Sequence, residues 1–491
     1  MSVLLVVDRF EDWPLTVPGV EVVSARKYIT DASYSALRGI KVFNLSRSYK
    51  YQSAGYYVSL LAAARGQKPL PSVSTIQDLR YRSLIRVISE ELETLIQESL
   101  APITSDQFVL SIYFGRNVAK RYSRLCIHLF NLFPAPLLRA HFRRESLRWQ
   151  LQSLAPIAAR EIPEDHKSFV ISAIGEYFTK GRSGVWKRNH SRYDLAILHD
   201  PTDEEAPSND KALRHFAKAG HGLGFRVEFI GADDIGRIAE FDALFIRETT
   251  SVNHHTYRFS RRAAAESLVV IDDPDSILRC TNKVFLAELL ARAKMQTPKT
   301  LMVHRDNIDT VAKEIGFPCI LKLPDSYLSQ GVVRIDDEAA FREQAVQYLE
   351  NSELIIVQEY LPTEFDWRVG VLDRKALYAC KYFMAKSHWQ IIKRDGAGES
   401  IDYGRVEAVP VEMVPKRVLR TAVKAAGLIG DGLYGVDLKE KGNQCLVIEI
   451  NDNPSIDAGF EDRLLGDSLY RSIMETFLKR VEWSKEGRSL S

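Results

Sequence analysis

The strongest constraint on this chain comes from residues 434–455, YGVDLKEKGNQCLVIEINDNPS. Two apolar runs, 435–438 and 445–451, have the composition of β-strands. The turn formers Lys, Gly and Asn at 441–443 stand between them. The stretch therefore predicts a β-hairpin.

Three oxygen-bearing side chains of this hairpin are predicted to lie close together. Glu449 and Asn451 are two residues apart on one strand, so their side chains leave on the same face, and Asp437 can face them from the partner strand. Two carboxylates and an amide oxygen suit Mg²⁺ or Mn²⁺. The alternative is a solvated hairpin with ordinary surface acids. The apolar neighbours favour the metal site, because an unpaired carboxylate is costly among them.

The pattern D-x(11)-E-x-N-x-N-P, which starts at Asp437, resembles the metal-binding segment of the ATP-grasp ligases. Within them it is most similar to the RimK-like and glutathione-synthetase-like branch. The resemblance implies an ATP-dependent carboxylate–amine ligase that uses ATP and two Mg²⁺ ions, with Mn²⁺ as an alternative. It also implies that Asp437, Glu449 and Asn451 bind the metal.

Composition sets the general class. A chain of 491 residues with 45% hydrophobic and 26% charged residues is typical of a soluble protein of roughly three domains. No uncharged apolar run reaches the roughly 18 residues of a membrane span, so no membrane association is expected. The five cysteines lack C-x-x-C spacing, which predicts neither zinc nor disulfides and favours a cytoplasmic location.

The charge distribution is asymmetric. Residues 1–190 contain 26 Lys and Arg against 16 Asp and Glu, whereas the remainder contains 40 against 48. A basic N-terminal part could meet an anionic partner, including nucleic acid, or an acidic substrate, or the acidic remainder of its own chain. We favour the last two, and no nucleic-acid partner is expected, because no nucleic-acid-binding motif is visible.

Three domains are predicted, with an overall α/β fold that becomes α+β in the nucleotide-binding part. Residues 1–180 form an N-terminal α/β domain that resembles the extra domain ahead of some RimK-like ligases, and 181–190 are a polar linker. Residues 190–275 alternate strands and helices, which predicts a parallel sheet and resembles the domain that precedes the ATP-grasp fold. Residues 276–485 resemble the ATP-grasp domain itself.

Two other segments hold candidate functional groups. Residues 44–73 cluster Tyr with Arg, Lys, Ser and Gly near a strand-to-helix junction, which predicts either a recognition loop for an acidic substrate or, more simply, interface packing. After the strand FDALFI come Arg247, Glu248, Thr249, His254 and His255. Functional groups gather at such strand ends, so a substrate-lining or structural role is expected for them.

The resemblance also assigns an ATP site. Lys283 and Lys322 match phosphate-facing lysines, residues 326–331 match a phosphate-covering loop, and residues 358–361 match the adenine hinge. The loop carries fewer glycines than is usual in the family. The implied ATP-binding residues are Lys283, Lys322, Ser329, Gln330, Gly331, Gln358, Glu359, Tyr360, Leu361 and Asp366. Alternatives are a solvated helix-start lysine for Lys283 and a same-face ion pair between Asp366 and Arg368.

Catalytic and substrate residues are implied in the same way. Arg368 and Lys381 match cations near the reacting phosphate. Weaker substrate candidates are His388, Trp389, Lys393, Arg394 and Asn453. The implied substrates are an amino acid, glutamate first, or a short peptide, joined through an acylphosphate. The alternatives are a protein acceptor and a non-catalytic ATP-binding scaffold or sensor. A homo-oligomer is expected.

Overall fold

The computed structural model describes residues 3–13, 15, 20–37, 40–80, 92–145, 148–179, 191–203, 205–325, 331–385, 392–394 and 401–486. The strands, in chain order, are β1 Val3–Val7, β2 Glu21–Ser24, β3 Lys41–Asn44, β4 Lys68–Leu70, β5 Gln107–Tyr113, β6 Leu137–Glu145, β7 Arg148–Pro156, β8 Tyr193–Leu198, β9 Phe225–Ile230, β10 Ala243–Ile246, β11 Val269–Ile271, β12 Thr300–Val303, β13 Cys319–Lys322, β14 Val332–Ile335, β15 Ile355–Glu359, β16 Phe365–Leu372, β17 Lys375–Phe383, β18 Ile392–Arg394, β19 Ile401–Tyr403, β20 Val406–Val409, β21 Leu433–Lys441 and β22 Gln444–Asn451.

The α-helices are α1 Ala25–Thr30, α2 Ala32–Ala36, α3 Ala54–Ala64, α4 Val73–Asp78, α5 Glu93–Leu100, α6 Ser123–Leu132, α7 Lys167–Thr179, α8 Asp210–Gly222, α9 His255–Ala265, α10 Pro274–Thr281, α11 Lys283–Arg292, α12 Val311–Glu314, α13 Glu338–Leu349, α14 Lys416–Ile429 and α15 Asp467–Lys485. Within the part of the chain that the structure describes, no helix combines the length and the apolar character that crossing a membrane requires.

The chain divides into two compact units. One comprises Met1–Ala196 and Gly224–Asp242, and the other comprises Ile197–Leu223 and Ala243–Ser491. The first unit contains a parallel sheet with the strand order β2–β1–β3–β4 and an antiparallel sheet β5–β6–β7. The core joins apolar side chains of both sheets, including Leu5, Phe43, Leu110 and Phe142. The first unit therefore combines α-helices with a parallel and an antiparallel sheet, in agreement with the α/β class predicted for this part of the chain.

The second unit contains two antiparallel sheets that carry the predicted nucleotide site. One has the strand order β12–β15–β13–β14 and the other β20–β17–β16–β21–β22. Helix α14 covers one face of the five-stranded sheet, where Val418 and Ala422 share a core with Val369, Val436 and Ile450. Because strand residues alternate between faces, the intervening positions project from the opposite face, and the candidate site lies there.

Candidate active site

The predicted hairpin is present as β21 and β22. Its turn lies at Gly442, whose φ of +60° is a conformation that glycine adopts readily. The two strands place Asp437 directly opposite Glu449 and Gly435 directly opposite Asn451. A β-bulge interrupts the register between Asp437 and the next residue of β21. The three predicted metal ligands therefore lie together on one face of the sheet.

Cations and an amide surround the two carboxylates. Arg368, directly across from Asp437 on β16, forms a two-point ion pair with it, and its Nη2 lies 2.8 Å from Oδ2. Lys283 Nζ lies 3.1 Å from Glu449 Oε1. Asn451 Nδ2 donates to Asp437 Oδ2 at 3.2 Å. Each predicted metal-binding carboxylate thus has a predicted phosphate-side cation beside it.

The two carboxyl groups differ in acidity. Burial raises the pKa of Asp437 above its ordinary value, although Arg368 opposes this. Burial acts in the same direction on Glu449, but Lys283 and Lys322 outweigh it and hold the pKa of that carboxyl below its usual range. Glu449 is therefore held firmly in its ionised form.

The donor set fits a hard divalent cation. Asp437 and Glu449 supply carboxylate oxygens and Asn451 supplies an amide oxygen, and Mg²⁺ prefers such ligands. Among the described residues, no group of three or more His, Cys, Asp or Glu side chains is arranged to hold a metal ion. The predicted site differs from such a group because its third ligand is an amide.

A cavity of about 310 Å³ is lined in part by Glu449. The predicted site residues in its wall are Lys283, Lys322, Gln358 and Glu449. Lys322 Nζ donates to Gln358 Oε1 at 2.9 Å, and Gln358 Nε2 donates to Thr300 Oγ1 at 3.0 Å. Burial lowers the pKa of Lys322 to about 8. The two predicted phosphate-facing lysines and the first residue of the predicted adenine hinge therefore line the same cavity.

The remaining hinge residues have varied surroundings. Glu359 turns its carboxylate toward the backbone, where Oε1 accepts from Lys299 N at 3.1 Å. Tyr360 lies under the guanidinium of Arg334, 4.7 Å from the ring centre. Leu361 is buried. Gly331, with φ of +66°, precedes β14 at the end of the predicted phosphate loop.

Asp366 has a partner that sequence reasoning missed. Lys439 Nζ donates to Asp366 Oδ1 and to Thr363 Oγ1, each at 2.6 Å, and Thr363 Oγ1 donates to Asp366 Oδ1 at 2.8 Å. Lys439 stands two residues after Asp437 on β21, so alternation along the strand indicates that the two share a face, whereas the contact with Asp366 also depends on the pairing of β21 with β16. The proposed alternative of an ion pair between Asp366 and Arg368 is not what the described contacts show.

Lys381 is not brought together with the other cations. It lies directly opposite Trp367 on the neighbouring strand, whereas Arg368 lies opposite Cys380. Successive strand residues face opposite sides, so Lys381 and Arg368 project from different faces. The ammonium of Lys381 lies 4.8 Å from the ring centre of Phe365 and 5.4 Å from that of Trp367.

The other substrate candidates are only partly described. Ser329, Gln330, His388 and Trp389 lie outside the described residues, as do the side chains of Lys393 and Arg394 on β18. Asn453 is fully described, and both ends of its amide are used: Oδ1 accepts from Arg247 Nη1 at 2.7 Å and Nδ2 donates to Glu248 O at 2.6 Å.

The residues after β10 form a polar cluster. Glu248 is buried and pairs through Oε2 with His255 Nε2, while His254 Nδ1 lies 3.1 Å from Thr256 Oγ1. Thr249 N and Oγ1 both donate to Asp203 Oδ2. These partners are side chains of the protein, which favours the structural role, while the substrate-lining role stays a prediction.

Comparison with known proteins supports the class that this site indicates. Residues 280–466 match the family described as the RimK-like ATP-grasp domain, and residues 25–173 match the RimK-like ATPgrasp N-terminal domain. Residues 280–466, which lie in the second unit, are thus an ATP-grasp domain of mixed α/β content. The chain carries both RimK-like domains, and the resemblance drawn from the motifs is confirmed.

Named relatives agree with this class. A probable alpha-L-glutamate ligase of Vibrio vulnificus (strain YJ016) is 24% identical over 225 residues, which are 45% of this chain and 71% of that protein. A probable alpha-L-glutamate ligase 1 of Shewanella sp. (strain W3-18-1) is 27% identical over 255 residues, or 51% of this chain and 80% of that protein.

Among solved structures, D-alanine–D-alanine ligase from Bacillus anthracis aligns with a TM-score of 0.46 and 13% identity, covering 60% of this chain and 99% of that one. A RimK domain ATP-grasp protein from Sphaerobacter thermophilus aligns with a TM-score of 0.44 and 16% identity, covering 57% of this chain and 98% of that one.

Proposed function

We propose that this protein is an ATP-dependent carboxylate–amine ligase, and that glutamate or a short acidic peptide is among its substrates. The observation that carries the proposal is the sheet face on which Asp437 stands opposite Glu449, with Arg368 and Lys283 paired to them. A phosphate-rich substrate and a divalent cation are complementary to such alternating charge.

The reaction has two steps. An oxygen of the substrate carboxylate attacks the γ-phosphorus of ATP, the bond from that phosphorus to its bridging oxygen breaks, and ADP leaves. The amine nitrogen then attacks the acyl carbon, the carbon–oxygen bond to phosphate breaks, and inorganic phosphate leaves. The proton released by the amine passes to substrate or solvent. The products are an amide, ADP and phosphate.

Asp437, Glu449 and Asn451 would hold Mg²⁺, whose contribution is to offset the negative charge that develops on the phosphates. Lys322 and Lys283 line the cavity together with Glu449, and Lys283 Nζ lies 3.1 Å from that carboxylate. Arg368 adds a guanidinium on the same face. The protein thus supplies a fixed set of charges, and no side chain needs to act as a nucleophile.

The glutamate assignment has two supports. The named relatives are probable alpha-L-glutamate ligases. The N-terminal 190 residues carry an excess of 10 basic side chains over acidic ones, which would favour an acidic substrate or acceptor. Neither support distinguishes free glutamate from a glutamate at the end of a peptide, so both belong in the first assay.

The test is the release of ADP and phosphate by purified protein with ATP and Mg²⁺, against pools of amino acids and dipeptides, with mass spectrometry of the products. Release should require both a carboxylate and an amine, and the product mass should equal their sum less water. The Glu449→Gln variant is the matched negative control. ATP binding without turnover in any pool would contradict small-substrate ligation and favour a protein acceptor or a non-catalytic role.

A further inference from the structure

A short segment after the hairpin connects the predicted metal ligands to the rest of their unit. Strand β22 ends at Asn451, and Asn453 and Pro454 follow immediately. Pro454 packs against Gly435, because a Cβ added to that glycine would lie only 2.8 Å from Pro454 Cβ. Gly435 is the residue directly opposite Asn451. The position of Pro454 therefore bears on the end of the strand that carries two of the three ligands.

Arg247 holds this segment. It follows β10 and is 0% exposed. Its Nη1 donates to Asn453 Oδ1 at 2.7 Å and its Nη2 donates to Pro454 O at 2.9 Å. The same guanidinium donates to Pro207 O at 2.5 Å and, through Nε, to Ser208 Oγ at 3.0 Å. One side chain thus ties the segment to a second part of the backbone.

Two further hydrogen bonds close the connection. Ser208 Oγ donates to Ile456 O at 2.9 Å, and Ile456 N donates to Pro207 O at 2.8 Å. The segment from Asn453 to Ile456 is therefore held at both ends. The Arg247 guanidinium bonds to Asn453 and Pro454, and residues 207 and 208 bond to Ile456. A buried hydrogen-bond network of this kind favours a single arrangement of its members.

The chemistry of Arg247 is unusual for a purely stabilising residue. Its acceptors here are carbonyls, a hydroxyl and an amide, and among the described residues no carboxylate lies within ion-pair distance of it. Burial lowers its pKa to about 10, so it keeps its charge at neutral pH. Burying an arginine without a paired anion costs several kcal/mol. An apolar side chain would fill the space at lower cost, but it would not hold Asn453 and Pro454.

We infer that Arg247 is a positioning residue, which holds residues 453–456 so that the end of β22 presents Glu449 and Asn451 in the geometry required for binding a metal–nucleotide complex. The inference rests on the proposed function. It predicts that loss of the forked guanidinium weakens metal-dependent nucleotide binding more than it weakens nucleotide binding without metal.

Arg247→Lys keeps the charge and removes the fork. Its matched control is Arg480→Lys, since Arg480 is also buried in the second unit but bonds to Asp431, away from the site. Both variants are titrated with Mg²⁺ in the presence of a non-hydrolysable ATP analogue, and analogue binding is repeated with EDTA. Arg247→Lys should need at least tenfold more Mg²⁺ for half-saturation and should bind the analogue in EDTA within about twofold of wild type. Arg480→Lys should match wild type in both.

A second readout needs no ligand. Hydrogen exchange of the peptide covering residues 447–457 should accelerate at least tenfold in Arg247→Lys and stay unchanged in Arg480→Lys. If Arg247→Lys does not fold, Ser208→Ala is used instead, because it removes an acceptor of the same guanidinium and the bond to Ile456. The Mg²⁺ titration and the hydrogen exchange of this variant then test the inference.

The outcomes separate the inference from the proposed function. Wild-type protein that binds the analogue without any effect of Mg²⁺ overturns both. Wild-type binding that depends on Mg²⁺, with Arg247→Lys no different from Arg480→Lys, overturns the inference alone. A selective shift in Mg²⁺ dependence together with faster exchange at 447–457 establishes the positioning role.

Discussion

Asp437 and Glu449 lie directly opposite each other on neighbouring antiparallel strands, and the pKa values of their carboxyl groups move in opposite directions. Burial raises that of Asp437, whereas Lys283 and Lys322 overcome the same effect at Glu449. The two acids are therefore not equivalent, and Glu449 links the predicted metal site to the phosphate-side lysines.

The first prediction concerns this link. Glu449→Gln keeps the shape of the side chain but removes the charge that faces Lys283, 3.1 Å away. Turnover should fall roughly 100-fold or more, the range seen when one stabilising group is removed from a preorganised charged site. Asn451→Asp should also lower turnover strongly, because it alters the ligand set. ADP release measures both effects.

The control for this prediction is Glu440→Gln on β21, the partner strand in the same hairpin. Glu440 accepts from Trp367 Nε1 and from Arg417, away from the site face, and glutamine keeps an acceptor there. Its turnover should stay within about twofold of wild type. Near-normal activity in Glu449→Gln would refute the metal-ligand assignment.

The second prediction concerns pH and Lys322. Its pKa is lowered by burial to about 8, and bound phosphates would raise it again. Binding of ATP near pH 8 should therefore be accompanied by proton uptake, and affinity should fall as pH rises through 8. Calorimetry in buffers of different ionisation enthalpy measures the uptake. Lys322→Arg should abolish it, because arginine stays charged.

The same shift has a consequence for stability. An unfolded lysine has a pKa of about 10.4, whereas folded Lys322 titrates at about 8. Between these values the unfolded state binds more protons, so this group makes the free energy of unfolding rise with pH across that interval. Below about pH 8 the lysine is charged in both states, and its burial destabilises the folded state by the full amount.

The control for the proton-uptake measurement is Lys299→Arg, at an exposed lysine in the cavity wall, which should leave the uptake unchanged.

The third prediction concerns Lys439. Lys439→Met removes the cation that donates to Asp366 at 2.6 Å and leaves that buried carboxylate with only the Thr363 hydroxyl as a described partner. The free energy of unfolding should fall by roughly 1–3 kcal/mol, and the KM for ATP should rise if Asp366 contacts the nucleotide. Denaturant unfolding and ADP release measure the two effects. Lys441→Met, at the exposed end of the strand, should change neither.

The fourth prediction separates Lys381 from Arg368. Because Lys381 lies over the rings of Phe365 and Trp367 on the other face of the sheet, Lys381→Met should leave turnover within about threefold of wild type. It should cost about 0.5–1 kcal/mol of stability through the lost cation–π contact. Arg368→Lys should lower turnover at least tenfold, since it loses the two-point pairing with Asp437. A larger loss in Lys381→Met than in Arg368→Lys would contradict this assignment.

The sequence was sufficient to predict those features that depend on residues close together in the chain. The hairpin followed from two apolar runs and a turn, and the relation of Glu449 to Asn451 followed from strand periodicity. The order of the motifs was also enough to identify the RimK-like domains, now confirmed by the family matches. Local patterns carry this information because neighbouring residues on a strand have fixed relative directions.

The rest depends on contacts between residues distant in sequence. The face on which Lys381 lies requires the pairing of β16 with β17, and the partner of Asp366 requires the pairing of β16 with β21. Arg247 and Asn453 are 206 positions apart, and nothing near either residue indicates that they meet. These relationships come from tertiary structure, which a single sequence does not display.

The bulge after Asp437 separates the two ends of the hairpin. On the turn side of the bulge, β21 and β22 pair in one register. On the other side they pair in a second register, which aligns Asp437 with Glu449. A change in loop length at Gly442 would be absorbed on the turn side of this break. That loop is therefore a suitable place to insert a fluorophore or an epitope, which would report on the hairpin while the opposing carboxylates stay aligned.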